Sequence, residues 1–153
     1  MNLSTDSIQK HNEQLSSKHH AQFQYFSSQH SGTQSILQKL QDFQIAIPSW
    51  ALGTGGTRFG RFTGGGEPGN LEEKIEDVGL IHALNQSSGA ISLHIPWDIP
   101  KDSEKIKALA SSYGLKFDAV NSNTFQDQPG QQHSYKFGSL QHTDKATRQQ
   151  AIE

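Results

Sequence analysis

The chain has no cysteine among its 153 residues, and it has no excess of basic charge. Without cysteine, disulfide bonds and thiolate metal sites are excluded, and a cytoplasmic location is expected. The net charge of -2 gives no electrostatic basis for binding nucleic acid or an anionic membrane. No apolar run approaches the roughly 18 residues of a membrane span, and the N-terminus has no apolar signal segment.

Apolar residues are also scarce. They make up 32% of the chain, against about 45–50% in globular domains when glycine is counted, and the 14 glycines close only part of that gap. The length corresponds to about one domain.

Residues 1–42 differ in composition from the rest of the chain, because the first 31 are rich in Gln, Ser and His. Their regular apolar positions fall on one helical stripe: Ile8, Leu15, Phe23, Phe26. This stripe predicts a thin amphipathic helix, with disorder as the alternative. Gly32 breaks the pattern, and Thr33 is expected to cap a second helix that runs to about Asp42. We therefore assign residues 1–42 to an N-terminal helical extension.

Three short runs rich in apolar and β-branched residues predict strands, the first of them buried. These runs are 43–48, 90–95 and 117–121. Pro48 and Pro96 cannot donate a ladder hydrogen bond, so each is expected to mark the end of its strand.

After each predicted strand, the sequence predicts a helix. Asn70 and Glu73 have capping-box spacing, and Asp102 or Ser103 is expected to cap the next helix. A third helix is expected after a cap at Thr143 and is still running at the last residue. The β-α-β-α-β-α order implies parallel strands with right-handed crossovers, and an open half-sheet of this kind is expected to be the front piece of a longer chain.

The segment Ser92–Asp98 places a histidine, an indole and a carboxylate where the second strand ends. Residues at the carboxyl ends of parallel strands face the crevice where ligands bind, so His94 is a candidate site residue. A half-buried histidine bonded to a backbone carbonyl is the alternative. Because His133 and His142 lack zinc spacing with His94, we expect no metal site inside this chain.

Eight of the 14 glycines lie between residues 49 and 69. Neither GxGxxG spacing nor a following Gly-Lys-Ser/Thr is present, which argues against a phosphate-binding loop. Aromatic residues alternate there with arginines: Trp50, Arg58, Phe59, Arg61, Phe62. This alternation favours a folded arm that stacks on a ligand or on a neighbouring subunit, with a floppy surface loop as the alternative.

Five blocks of sequence occur together in a recognisable order, at 47–50, 53–59, 92–98, 121–125 and 133–136. They resemble the L-rhamnose isomerases of the broad-specificity bacterial type, which are xylose-isomerase-like (β/α)8 TIM barrels. The resemblance implies an α/β fold in which residues 43–153 form about the first three βα units of such a barrel. A whole barrel needs about 250 residues, so this part is expected to be truncated at its C-terminus.

The resemblance also implies a function for the full-length protein. It would be an aldose–ketose isomerase, an intramolecular oxidoreductase that interconverts L-rhamnose and L-rhamnulose and acts on other aldoses and ketoses. Such enzymes use a divalent cation, typically Mn2+, whose ligands would lie outside this chain. His94 matches a catalytic residue that contacts the sugar and helps its ring to open. Trp50 and Trp97 match walls of the substrate pocket, and Phe59 matches an aromatic inserted into the adjacent subunit's site.

The full-length protein is further expected to be a homo-oligomer, a tetramer, and the isolated 153 residues are expected to be inactive. Two other classes stay open. One is a small self-contained carbohydrate- or nucleotide-binding module. The other is a different enzyme of the same barrel family, such as a sugar epimerase or a metal-dependent nuclease, although the weak acidity argues against a nucleic-acid substrate.

Overall fold

A computed structural model describes residues 4–53, 56–57, 60–61 and 65–153 of the chain. Within that part the elements follow in the order α1 (Thr5–Gln29), α2 (Thr33–Gln41), β1 (Ala46–Pro48), β2 (Gly56–Thr57), β3 (Gly60–Arg61), α3 (Leu71–Asn85), β4 (Ala90–Ile95), α4 (Ser103–Ser112), β5 (Lys116–Ser122) and α5 (Lys145–Ile152). A short 3-10 helix, Ser49–Ala51, follows β1 directly.

The strands β1, β4 and β5 form one parallel sheet in that order. Ala46 of β1 lies opposite Ala90, and the pairing of β4 with β5 extends to Ile95 opposite Ser122. A helix follows β1 and another follows β4, which confirms the predicted alternation and the parallel strands. Ile95 is the last paired residue of β4, as the following proline predicts. The fold is therefore mixed α/β, built on a small parallel sheet.

A second, antiparallel ladder joins β2 to β3 in the glycine-rich region between β1 and α3. Gly56 lies opposite Arg61, and Thr57 lies opposite Gly60. Arg58, Phe59 and Phe62 of the predicted arm lie outside the described residues.

The core lies between the sheet and the helices α3 and α4. Its members come from both helices, from β4 and from the end of the α4–β5 connection: Leu71, Ile75, Val78, Ile91, Ile106, Ala110, Leu115. Ile75, Val78 and Ile91 have no solvent exposure. A core of this size agrees with the low apolar content of the sequence.

Two of the predicted helix caps are confirmed. Asn70 Oδ1 accepts a hydrogen bond of 2.9 Å from the Glu73 amide, and the Glu73 carboxylate accepts one of 2.6 Å from the amide of Gly69. Asp102 caps α4 by accepting hydrogen bonds of 3.1 Å from the amides of Glu104 and Lys105. These carboxylate and amide oxygens satisfy donors that each helix leaves free in its first turn.

Two other caps were predicted wrongly. Thr33 is the first residue of α2 rather than its cap, because its hydroxyl donates to the His30 carbonyl at 2.9 Å and Gly32 occupies the cap position. Thr143 does not cap α5. Asp144 does, and its carboxylate accepts from the Thr147 amide and hydroxyl, both at 2.9 Å. A carboxylate is a strong cap because it also meets the positive end of the helix dipole.

The first strand is shorter and less buried than predicted. It comprises three residues, Ala46–Pro48, all of them half-buried. β4 begins at Ala90, opposite Ala46, so the residues before Ala46 have no strand to pair with. Phe43 is accordingly 68% exposed and Ile45 46% exposed.

The N-terminal segment forms a helix, as the apolar stripe predicts, but it packs lightly. No residue of α1 is buried. It touches the rest of the fold through a hydrogen bond of 2.9 Å from Asn12 Nδ2 to the Ala83 carbonyl of α3. Among the described helices, none has the length and apolar character needed to cross a membrane.

Candidate functional site

Three aromatic rings surround the imidazole of His94 at the carboxyl end of the sheet. Trp97 stacks on it, with ring centroids 4.1 Å apart and planes 13° apart. Trp50 meets it edge-on at 5.6 Å, and Phe125 does so at 6.3 Å. Trp50 follows β1, Trp97 follows β4 and Phe125 follows β5. All three parallel strands therefore contribute to this ring cluster, which we define as His94, Trp50, Trp97 and Phe125.

Burial is uneven within the ring cluster. His94 is 2% exposed, whereas Trp50 is 41%, Trp97 44% and Phe125 60% exposed. The aromatic faces thus form an apolar wall above a buried imidazole. Such walls suit the C–H faces of a sugar, because aromatic rings present a large apolar surface with a negative face toward those polarised hydrogens.

The backbone of His94 is fixed by a tight turn that ends at Asp98. The His94 amide donates to Asp98 Oδ2 at 2.7 Å, and the Asp98 amide donates back to the His94 carbonyl at 2.8 Å. The turn encloses Ile95, Pro96 and Trp97, and the Ile95–Pro96 peptide bond is cis. The stacked indole is therefore carried by the same closed loop as the imidazole.

The Asp98 carboxylate is itself buried, and both of its oxygens accept hydrogen bonds. Besides the His94 amide, its Oδ2 accepts a hydrogen bond from the hydroxyl of Ser49, which follows β1. Its Oδ1 accepts from Lys74 Nζ of α3 at 2.7 Å. The side chain of Asp98 is 1% exposed and that of Lys74 11% exposed. One carboxylate thus joins the ends of β1 and β4 to α3.

Burial also sets the charge of His94. Desolvation lowers the pKa of its imidazole below the usual value, and the nearby Lys74 ammonium lowers it further, while the Asp98 carboxylate opposes both. Nδ1 of His94 is buried and has no hydrogen-bond partner within the part of the chain that the structure describes. The imidazole is therefore neutral near pH 7.

Amide side chains lie beside the imidazole on β5. Asn121 is directly opposite His94 in the ladder, so the two side chains share a face of the sheet. Asn121 takes this place because β5 carries an extra residue, so that Asp118 and Ala119 together lie opposite Ser92; with regular pairing Val120 would lie opposite His94. Amides offer both a donor and an acceptor to sugar hydroxyls.

Asn123 continues this polar edge. Its backbone amide donates to the Ile95 carbonyl at 3.0 Å, and the residue is 7% exposed. Its Oδ1 is buried with no donor among the described residues. A hydrogen-bonding group is therefore needed there, from water, from ligand or from another part of the protein.

The loop histidines do not join the ring cluster. Gln150 of α5 accepts hydrogen bonds from the amides of Gln132 and His133 and donates to the His133 carbonyl at 2.9 Å. His142 accepts a hydrogen bond of 3.0 Å from the Asp144 amide at its Nδ1. Both segments tie the loop to α5. No group of three or more His, Asp or Glu converges on a metal position in the described residues.

Three of the four candidate residues, His94, Trp50 and Trp97, thus meet in one cluster, and Phe59 lies outside the described residues. Phe125 was not singled out, although the rule that selected His94, proximity to a strand end, also applies to it. The sequence does not indicate Lys74 as a site residue, because its partner Asp98 lies in a distant part of the sequence and only the fold brings the two together.

Comparison with known proteins relates the chain to two relatives. A probable sugar isomerase of Rhizobium meliloti is 56% identical over 119 residues, which cover 78% of this chain and 28% of that protein. A probable sugar isomerase of Mesorhizobium japonicum is 55% identical over 119 residues, 78% of this chain and 27% of that protein. The chain spans about a quarter of the length of these curated relatives. No protein-family model matches the chain.

Proposed function

We propose that the chain is the N-terminal part of a sugar isomerase that interconverts an aldose and a ketose, with L-rhamnose and L-rhamnulose as the favoured pair. The observation that carries the proposal is the ring cluster: a buried, neutral imidazole at a strand end, walled by indoles. The identity of 56% with a probable sugar isomerase supports the same class of substrate.

In this proposal His94 holds or moves a proton at the ring oxygen of the sugar. A neutral imidazole can take the proton of the anomeric hydroxyl and then give a proton to the ring oxygen as the bond between the anomeric carbon and that oxygen breaks, which is the proton balance that ring opening requires. The burial that lowers its pKa keeps it in the neutral form at pH 7. Trp50 and Trp97 lie against the C–H faces of the sugar and exclude water from them.

The resemblance implies Mn2+ or another divalent cation, which would polarise the sugar's oxygens. The described residues do not fit such a group, because no cluster of His, Asp or Glu converges among them. We propose that the ligands belong to the remainder of the full-length protein. Residues 43–153 would then form the first three βα units of a barrel, and Phe59 would reach the site of an adjacent subunit in a homotetramer.

The test is an isomerase assay on the full-length protein with L-rhamnose and Mn2+. We expect His94→Ala to lower kcat by about 10²-fold or more, the usual contribution of a positioned acid or base, and to leave Mn2+ affinity unchanged. His11→Ala, which alters an exposed histidine of α1, is the matched control and should keep wild-type kcat. Equal loss of activity and metal affinity in His94→Ala would assign His94 a structural role.

Absence of aldose–ketose isomerisation in the full-length protein would overturn the proposal. Calorimetry on the isolated 153 residues separates the remaining classes. A self-contained binding module would bind a sugar or nucleotide without metal, whereas the proposal expects neither tight Mn2+ binding nor turnover from this part alone.

A further inference from the structure

The ion pair of Asp98 and Lys74 lies beneath the ring cluster and is not accounted for by sugar binding. We propose that Asp98, held by Lys74, is a positioning residue that keeps the His94 imidazole stacked on Trp97. The proposal deepens the proposed function, because it takes His94 as the sugar contact, but its geometry can be tested without any sugar.

The hydrogen bonds of Asp98 connect it to both stacked rings. Its carboxylate accepts a hydrogen bond of 2.7 Å from the backbone amide of His94, and its own backbone amide donates one of 2.8 Å to the His94 carbonyl. Trp97 is the residue immediately before Asp98 in the sequence. Movement of Asp98 therefore moves the indole and releases the backbone that carries the imidazole.

Lys74 and Ser49 fix the carboxylate from two further elements. Lys74 Nζ reaches Oδ1 at 2.7 Å from α3, and the Ser49 hydroxyl reaches Oδ2 from the end of β1. With these contacts each carboxylate oxygen has a donor, so the carboxylate has one defined orientation. Burying such a pair gives little stability compared with apolar residues of the same volume. A geometric role explains its presence at this place better than a contribution to stability does.

The rival explanation is an ordinary structural ion pair whose only effect on His94 is its charge. The two explanations predict opposite shifts of the His94 pKa when Asp98 is removed. With the ring still buried, loss of the negative charge favours the neutral imidazole and lowers the pKa further. If the stack is lost, water reaches the ring and the pKa rises toward its ordinary value.

Intrinsic tryptophan fluorescence reports on this cluster, because the chain has two tryptophans and both contact His94. The emission of the 153-residue chain is followed between pH of about 5 and 8, where histidine titrates. In Asp98→Ala we expect the midpoint to rise toward about 6.5 and the emission to move to longer wavelength. Asp77→Ala, an exposed aspartate of α3, should match the wild type.

Asp98→Asn keeps the volume of the side chain, so that the test does not depend on the alanine variant folding. Its amide has one oxygen for the donors of Ser49, Lys74 and His94, and we expect the same rise in a smaller degree. A midpoint that falls or stays, with unchanged emission, overturns the positioning role. In the full-length enzyme Asp98→Asn should lower kcat by up to about 10²-fold, as misplaced catalytic groups do, with Mn2+ affinity unchanged.

These readouts separate the two proposals. If the full-length protein has no isomerase activity, the proposed function fails, while the fluorescence midpoints still decide the role of Asp98. If the midpoints contradict positioning but His94→Ala still lowers kcat, the proposed function stands without it.

Discussion

The imidazole of His94 sits at the carboxyl end of a parallel strand and is 2% exposed. Its lowered pKa links its protonation to folding. In the unfolded chain the ring titrates near its ordinary value of about 6.5, so at mildly acidic pH the unfolded state binds more protons than the folded state. The stability contributed by neutral His94 is present above that pH and declines as the pH falls toward the lower pKa of the folded state.

This linkage predicts a pH-dependent free energy of unfolding. We expect the stability of the wild-type chain to fall between pH of about 7 and 5, and His94→Gln, which cannot be protonated, to remove part of that fall. Urea unfolding at a series of pH values measures it. His11→Gln changes an exposed histidine and should keep the wild-type slope. An identical slope in His94→Gln would contradict the burial-driven shift.

Among the elements, the contact between α3 and α4 depends on a glycine in the middle of a helix. A Cβ placed on Gly79 would lie 2.6 Å from Cγ and Cδ1 of Tyr113, which is far inside van der Waals contact. Glycine costs a helix about 1 kcal/mol relative to alanine. Its presence here is therefore explained by the close approach of the Tyr113 ring.

We expect Gly79→Ala to lower Tm, since overpacking costs about 1–3 kcal/mol and exceeds the gain in helix propensity. Thermal unfolding followed by circular dichroism is the measurement. Asp77→Ala, exposed on the same helix, supplies the propensity gain alone and should not lower Tm. Adding Tyr113→Ala should remove the clash, so the double variant should lose less stability than the two single losses added together. A more stable Gly79→Ala would contradict the packing argument.

The elements were predictable wherever the signal lies close in the sequence. Asn70 and Glu73 mark the start of α3 by their spacing, and Pro96 marks the end of β4. The start of β1 was not predictable from Phe43, because strand length depends on the partner strand and β4 begins at Ala90. Likewise, the glycine at position 79 of α3 is explained only by the ring of Tyr113, which follows α4.

The site residues, like the elements, were predictable where the signal lies close in the sequence. The strand-end rule leads to His94 and Trp97, the resemblance points to Trp50 as well, and the structure brings the three rings together. The Asp98–Lys74 pair joins a loop to α3, and nothing in either local sequence indicates the other. Contacts between distant segments decide the details of the site.

For the whole molecule, β5 is exposed along all of its residues, and no described strand pairs with its outer edge. Val120 is 61% exposed, although it lies opposite the partly buried Leu93 of β4. The curated relatives are nearly four times as long as the matched segment. Under the proposed function, the remainder of the barrel covers this strand.

The proposal therefore predicts a difference between two lengths of the protein. Val120→Asp should leave the Tm of the 153-residue chain nearly unchanged, because surface substitutions shift stability by no more than about 0.5 kcal/mol. In the full-length protein it should lower Tm clearly, since an unpaired carboxylate would be buried. Differential scanning calorimetry of both forms measures the two changes in Tm. Equally small changes in both forms would contradict the proposal that the remainder of the barrel covers β5.

The extra residue in β5 makes the length of this strand part of the site. It sets Asn121 opposite His94 after Asp118 and Ala119 have shared the position opposite Ser92. Deleting one of those two residues would restore a regular ladder and leave Asn121 opposite His94. If the strand instead paired regularly at its full length from Lys116 onward, Val120 would take the place of Asn121 beside the imidazole, and every later side chain would change face. The bulge thus sets a polar lining in place of an apolar one without changing any residue named in the ring cluster.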